Sequence, residues 1–122
     1  IYVSALAWID PKDIMALVQV KLENTDALSS IRGVYGGVGF TLAGLVILMS
    51  INNLQNGLLF LSVFWLMYAI SRVLTIIIDG PLGDFGNMWI KIESMFAVIA
   101  FILYLLNRPG NKSAVRLKTG SF

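Results

Sequence analysis

Two long apolar runs dominate the pattern of the chain: Leu58 to Ile78 and Met88 to Leu106. Each has a length typical of a transmembrane helix, which needs roughly 17 to 25 residues to cross a hydrocarbon core of about 30 Å. The connection at residues 79–84 contains Gly80, Pro81 and Gly83, which end a helix and allow a tight turn. The pattern therefore predicts two antiparallel membrane-spanning helices.

Two other apolar stretches precede these runs. Residues 33–51 are long enough for another span, whereas Ile1 to Ile9 would cover only about 13 Å as a helix. The short stretch is either the outer end of a transmembrane helix whose beginning lies outside the sequence, or a segment in the membrane interface. The length rule favours the truncated helix, and Trp8 suits an anchor at the interface.

Residues 10–32 carry charges of both signs and are expected to lie outside the lipid. Asp13 can cap a short helix that runs through Leu17, and Thr25 or Asp26 can cap the next helix. Between them, apolar Val18, Val20 and Leu22 alternate with polar residues, which predicts a few extended residues along the membrane surface.

Together these elements predict an all-α membrane protein that forms a four-helix transmembrane bundle, with the first helix truncated at its N-terminus. We expect one transmembrane domain over residues 1–122, divided into a helix 1 remnant (1–9), an outer loop (10–32), helix 2 (33–51), helix 3 (58–78), helix 4 (88–106) and a basic cytoplasmic tail (107–122).

Composition agrees with a membrane protein and excludes several chemistries. Hydrophobic residues make up 57% of the chain and charged residues 13%, against roughly 25% charged residues in soluble domains. The sequence contains no cysteine and no histidine. Thiolate catalysis, iron–sulfur clusters and Cys-based zinc sites are thereby excluded within this chain, and the commonest haem and metal ligand is missing. We therefore expect no metal and no cofactor.

The distribution of charge predicts the orientation in the membrane. Residues after the last span carry four positive and no negative charges, whereas residues 10–32 carry three positive and four negative ones. The positive-inside rule then places the C-terminus in the cytoplasm. Four basic residues are too few to indicate nucleic acid. The tail is expected to be a solvated anchor, and contact with anionic lipid headgroups is the alternative. The basic residues of the tail are Arg108, Lys112, Arg116 and Lys118.

The second span is rich in glycine, which lets another helix approach closely in lipid. Gly33, Gly37 and Thr41 follow small-xxx-small spacing, and Gly44 lies near the same face. This face either packs within one bundle or mediates self-association into a homo-oligomer, and packing within the bundle is the commoner use of such spacing.

The third and fourth spans contain ionisable residues, which are costly at membrane depth and are kept with a partner or a function. Tyr68, Arg72 and Asp79 share one face of the third helix at spacings of four and seven residues, and Glu93 lies about one turn inside the fourth. Arg72 can meet either Asp79 or Glu93 in the same half of the membrane. Arg32, at the start of the second span, is expected to join this polar cluster.

Four motifs follow one another along the chain: Ala27-Leu28-Ser29-Ser30-Ile31-Arg32-Gly33 with Gly36-Gly37, Tyr68-Ala69-Ile70-Ser71-Arg72, Asp79-Gly80-Pro81 and Ile92-Glu93. In this order they resemble the pattern of the DUF4345 family of small four-helix bacterial inner-membrane proteins of unknown function. The resemblance implies a multi-pass protein of the bacterial inner (cytoplasmic) membrane and marks Arg32, Arg72, Asp79 and Glu93 as characteristic polar positions. It implies no activity, substrate or cofactor.

Four functions are compatible with these features. The polar cluster is expected to form a structural ion pair, and as an alternative its arginines bind a lipid or a quinone-like ligand as bidentate donors. An isomerase-type enzyme would need a carboxylate with a raised pKa, which the nearby arginines oppose, and we assign no catalytic residue. A small chain with a glycine-rich face also suits an accessory subunit of a larger membrane complex.

Overall fold

Helices account for the regular structure of the chain in a computed structural model, which describes residues 1–108. No strand occurs in this range, so the prediction of an all-α protein is confirmed for it. The basic residues at 112, 116 and 118 lie outside the described residues. The elements are α1 (Tyr2–Ile9), α2 (Pro11–Ala16), α3 (Thr25–Ile31), a π-helical segment (Arg32–Val38), α4 (Gly39–Asn52), α5 (Leu54–Ile78) and α6 (Asp84–Leu106).

The first of two compact units comprises Ile1–Leu48. Its core contains the buried side chains of Ala7, Ile14 and Met15, against which Leu22 and Ile31 pack. Burial of these apolar groups holds α1, α2 and the following loop together.

Asp10 is the N-cap of α2, and its carboxylate accepts a hydrogen bond of 2.9 Å from the backbone N–H of Lys12. Asp13, predicted to be this cap, lies instead in the first turn of the helix. Pro11 at the first helical position explains the shift, because proline needs no hydrogen-bond acceptor there and favours Asp10 as the preceding cap.

The loop after α2 turns back on the helix. The backbone N–H groups of Val18 and Val20 both donate to the carbonyl of Met15, and Gln19 adopts a left-handed conformation with φ of 59°. Residues 20–23 form neither helix nor strand. The next helix is capped by Asn24, whose side-chain oxygen accepts from the N–H of Ala27 at 2.8 Å, and not by Thr25 or Asp26 as predicted.

A continuous helix runs over Thr25–Asn52 through α3, the π-helical segment and α4. Glycines of this helix allow α1 to pack closely against it. A Cβ atom at Gly36 would lie 2.0 Å from the Trp8 ring, and one at Gly39 would lie 2.2 Å from the Ser4 hydroxyl oxygen. The Trp8 ring also packs on Phe40 with centroids 4.7 Å apart. Small residues thus decide where α1 meets the long helix.

The second unit begins at Met49 and contains the helical hairpin of α5 and α6. Asn53 caps α5 by accepting a hydrogen bond from the N–H of Asn56 at 3.1 Å. Both helices begin earlier than the apolar runs at 58 and 88, because polar and small residues form their first turns. Small side chains dominate the buried positions of the hairpin: Gly57, Ser62 and Ala69 in α5, and Gly86, Ala97 and Ala100 in α6.

Three helices are long and apolar enough to cross a membrane: Thr25–Asn52, Leu54–Ile78 and Asp84–Leu106. At most 17% of the residues in their most apolar windows are buried inside the protein. Such extensive exposed apolar surface is typical of a protein whose outer faces contact lipid. The eight residues of α1 are too few to span a bilayer within the described chain, so the four-helix bundle stays a prediction.

Candidate functional site

A bidentate ion pair joins the two helices of the hairpin. The Nε atom of Arg72 lies 2.6 Å from Oε2 of Glu93, and its Nη2 atom lies 2.8 Å from Oε1. The Glu93 side chain is only 2% exposed, whereas that of Arg72 is 22% exposed. Paired, charge-assisted hydrogen bonds of this kind are strong and directional. Glu93 is therefore enclosed by protein, while the Arg72 side chain is partly exposed.

Packing of α5 against α6 brings Arg72 and Glu93 to the same height along the axes of the two helices. Arg72 lies six residues before the end of α5, or about 9 Å along the helix axis, and Glu93 lies nine residues after the start of α6. Ala69 and Ala97, one turn from each charged residue, are buried and let the helices approach. A second interhelical hydrogen bond lies nearer the start of α5, where the Ser62 hydroxyl donates to the carbonyl of Ala97 at 3.1 Å.

Aromatic side chains precede Arg72 along α5. Tyr68, one turn before Arg72, is 47% exposed, and its ring lies 5.1 Å from that of Phe64. Trp65 bridges the two helices, with its ring 5.3 Å from that of Phe96 in α6. Tyr68 and Trp65 lie four and seven residues before Arg72, a spacing that places the three residues on one face of α5.

The structure describes other contacts for the remaining predicted polar residues, Asp79 and Arg32. Asp79 is exposed and ends α5, where its backbone N–H donates to the carbonyl of Thr75. Arg32 belongs to the first unit, where its Nε donates to the carbonyl of Trp8 at 3.1 Å. The sequence left Asp79 and Glu93 open as partners of Arg72, and the structure pairs Arg72 with Glu93.

The predicted glycine face is open within the first unit. A Cβ atom at Gly33, Gly37 or Gly44 would meet no atom of residues 1–48 within 4 Å, and the Thr41 hydroxyl bonds to the carbonyl of Gly37 in its own helix. Gly36 and Gly39 carry the contact with α1 instead. Two features of the sequence could have indicated this contact. Gly36 and Gly39 are three residues apart and so share one helix face, and the preceding helix carries the large aromatic residue Trp8.

Sequence reasoning gave no role to Ser62. Ser62 lies seven residues before buried Ala69, a spacing that placed it on the same inward face. The Trp89 indole Nε1 is buried and has no hydrogen-bond partner among the described residues. Its ring packs near Phe85 with centroids 6.0 Å apart. Trp89 also lies one turn before Glu93 in α6, so it belongs to the surroundings of the ion pair.

Within residues 1–108, no group of three or more acidic side chains is arranged to hold a metal ion. The chemistry of the site is thus that of an arginine paired with a carboxylate in aromatic surroundings. Such a site can bind an anionic or carbonyl-bearing group through the guanidinium, or it can serve as a link between helices.

Comparison with known proteins identifies the family. The model for a domain of unknown function, DUF4345, matches residues 1–104. The chain belongs to the DUF4345 family. The resemblance seen in the arginine, aspartate-glycine and glutamate motifs is thereby confirmed. No curated protein and no solved structure matches this DUF4345 chain. Its Arg72–Glu93 pair connects two of the motifs on which the resemblance was based.

Proposed function

We propose that this DUF4345 protein is a small inner-membrane protein that binds the polar head of a lipid or quinone-like molecule beside Arg72. The observation that carries the proposal is the unequal exposure of the ion pair. Glu93 is enclosed, whereas Arg72 is partly exposed, and aromatic Tyr68 lies one turn before it in α5. The carboxylate holds the guanidinium in a fixed orientation, so that the partly exposed Arg72 can recognise an oxygen-bearing headgroup.

The ion pair has a structural role in the same proposal. It joins α5 to α6 and selects the register in which the two helices pack. Breaking a buried pair leaves an uncompensated charge, so each partner is needed even though the pair adds little net stability. Asp79 and Arg32 take other places: Asp79 lies at the aqueous end of α5, and Arg32 holds the end of α1.

The orientation follows from the positive charges near the C-terminus. Arg108 and the basic residues after it place the end of α6 on the cytoplasmic side, and the ion pair then lies in the outer half of the membrane. A ligand would enter from the outer leaflet or from the neighbouring lipid.

The geometry gives little support to an enzyme that transfers protons. Both oxygens of Glu93 accept hydrogen bonds from Arg72, which occupies the positions at which a substrate proton would be received.

Native mass spectrometry of the protein released from its own membrane in mild detergent tests the binding role. We expect an added mass equal to that of a lipid or quinone, retained in the wild type and lost in R72Q. The matched control is R108Q, which removes an arginine at the end of α6 and should keep the added mass. A bare chain in the wild type, or equal retention in R72Q, would contradict binding at Arg72.

The same measurement tests the accessory-subunit alternative. The open face at Gly33, Gly37 and Gly44 favours that role, because small residues let a helix of another protein approach closely. Stoichiometric release of a second polypeptide would support it. Substituting leucine at Gly37 should then break the association, whereas R72Q should leave it intact.

A further inference from the structure

A groove in the first unit lies between α2 and the loop that follows it. Its volume is about 530 Å³. Lys12 and Ala16, one turn apart in α2, form one side, and Val20, Lys21 and Leu22 form the other. The groove exists because the chain turns back at Gln19 and Leu22 packs against the core of α1 and α2. The loop is thus tied at both ends, and the groove is part of the fold.

The groove combines charged and apolar lining. Lys12 and Lys21 contribute two positive charges, and Glu23 contributes one negative charge, so the lining carries a net charge of +1. Ala16, Val20 and Leu22 supply an apolar surface between them. A ligand with one negative charge and an attached apolar part matches both features. Two ammonium groups in the lining of one groove suit a phosphate, whose oxygens accept several hydrogen bonds.

We propose that this groove binds the phosphate headgroup of an anionic phospholipid. Leu17, Val18 and Val20 are between 44% and 57% exposed and lie beside the groove. Exposed apolar residues next to lysines are typical of segments that lie in the membrane interface, where the apolar part enters the acyl region. The helix that follows this loop, Thr25–Asn52, is long and apolar enough to cross a membrane. A headgroup of the bilayer is therefore the phosphate closest to the groove.

The proposal predicts a preference for headgroup charge. Phosphatidylglycerol carries one negative charge and balances the lining, whereas zwitterionic phosphatidylcholine does not. Glu23 opposes the anion, so E23Q should strengthen its retention. This site is separate from Arg72, and its occupancy does not depend on the ligand proposed there.

Native mass spectrometry of the full chain in detergent, with equal amounts of phosphatidylglycerol and phosphatidylcholine, tests the proposal. We expect the wild type to retain phosphatidylglycerol preferentially and K12Q/K21Q to lose about thirtyfold in retention, in keeping with the contribution of two lysines near an anionic lipid. The matched control K91Q removes an exposed lysine of α6 and should behave as the wild type. The R72Q variant should also keep this preference, which separates the two sites.

Two outcomes would overturn the proposal. One is equal retention of phosphatidylglycerol in the wild type and in K12Q/K21Q, with both proteins showing the same helical circular dichroism. The other is displacement of the lipid by millimolar glycerol 3-phosphate, which would assign the groove to a free phosphate ester. A rise in phosphatidylglycerol retention in E23Q would support the proposal even if the double variant failed to fold.

Discussion

Arg72 and Glu93 lie 21 residues apart in the chain and share two hydrogen bonds, of 2.6 and 2.8 Å, across the helical hairpin. Each side chain compensates the charge of the other within the hairpin. Removal of one leaves a charge in a nearly dry environment, whereas removal of both leaves only a gap.

We therefore expect R72A and E93A each to lower the free energy of unfolding in detergent by about 3 to 5 kcal/mol. The double variant should recover part of that loss, because no charge is left unpaired. Thermal and denaturant unfolding of the four proteins gives the coupling energy. K91A, on an exposed position of the same helix, is the control and should stay near the wild type. Additive losses in the double variant would contradict direct pairing.

The hydrogen bond from Ser62 to the carbonyl of Ala97 should stabilise the hairpin measurably. S62A removes a buried interhelical bond, and we expect a loss of about 0.6 kcal/mol, the average for such bonds in a membrane protein, with about 1.7 kcal/mol as the upper limit. The matched control is S71A, because the Ser71 hydroxyl bonds to the carbonyl of Met67 within its own helix and is exposed. Equal effects of the two substitutions on the unfolding midpoint would show that the bond to α6 adds nothing.

Close packing of Trp8 on Gly36 predicts a strong difference between neighbouring glycines. An added methyl group at Gly36 would overlap the indole ring, so G36A should cost about 1 to 3 kcal/mol as the ring is displaced. G37A meets open space in the same unit and should be neutral or stabilising, since alanine favours a helix.

Tryptophan fluorescence in a chain with phenylalanine at 65 and 89 follows displacement of Trp8 directly. A spectral shift is expected in G36A and not in G37A. An equal loss of stability in G37A would instead show that another helix covers the predicted glycine face, and it would support packing through Gly33, Gly37 and Gly44.

Arg32 should stabilise the end of α1. Its Nε donates to the carbonyl of Trp8, one of the carbonyl groups that a helix leaves without a partner at its C-terminus. We expect R32A to lower stability by about 1 kcal/mol and to raise amide hydrogen exchange in residues 2–9. The exchange of α5 and α6 should stay unchanged. Increased exchange in the hairpin instead would place Arg32 in the polar cluster that the sequence predicted.

Much of this protein was determined by the sequence itself. The preference of an apolar run for lipid over water is a property of residue type and length, so the apolar runs at 33–51, 58–78 and 88–106 were sufficient to predict the membrane-spanning helices. Helix periodicity also placed Tyr68, Arg72 and Asp79 on one face, because the angle between residues in a helix is nearly constant. The family motifs could be read in the same way.

Tertiary structure alone decided which groups meet. Whether Arg72 pairs with Asp79 or Glu93, and whether α1 rests on Gly36 or on Gly37, depends on how one helix is rotated and shifted against another. That rotation results from many small packing contacts, such as those of Ser62, Ala69 and Ala97, whose energies depend on distances of a few tenths of an ångström. A sequence pattern fixes the face of each helix, but only the packed structure fixes the partner of that face.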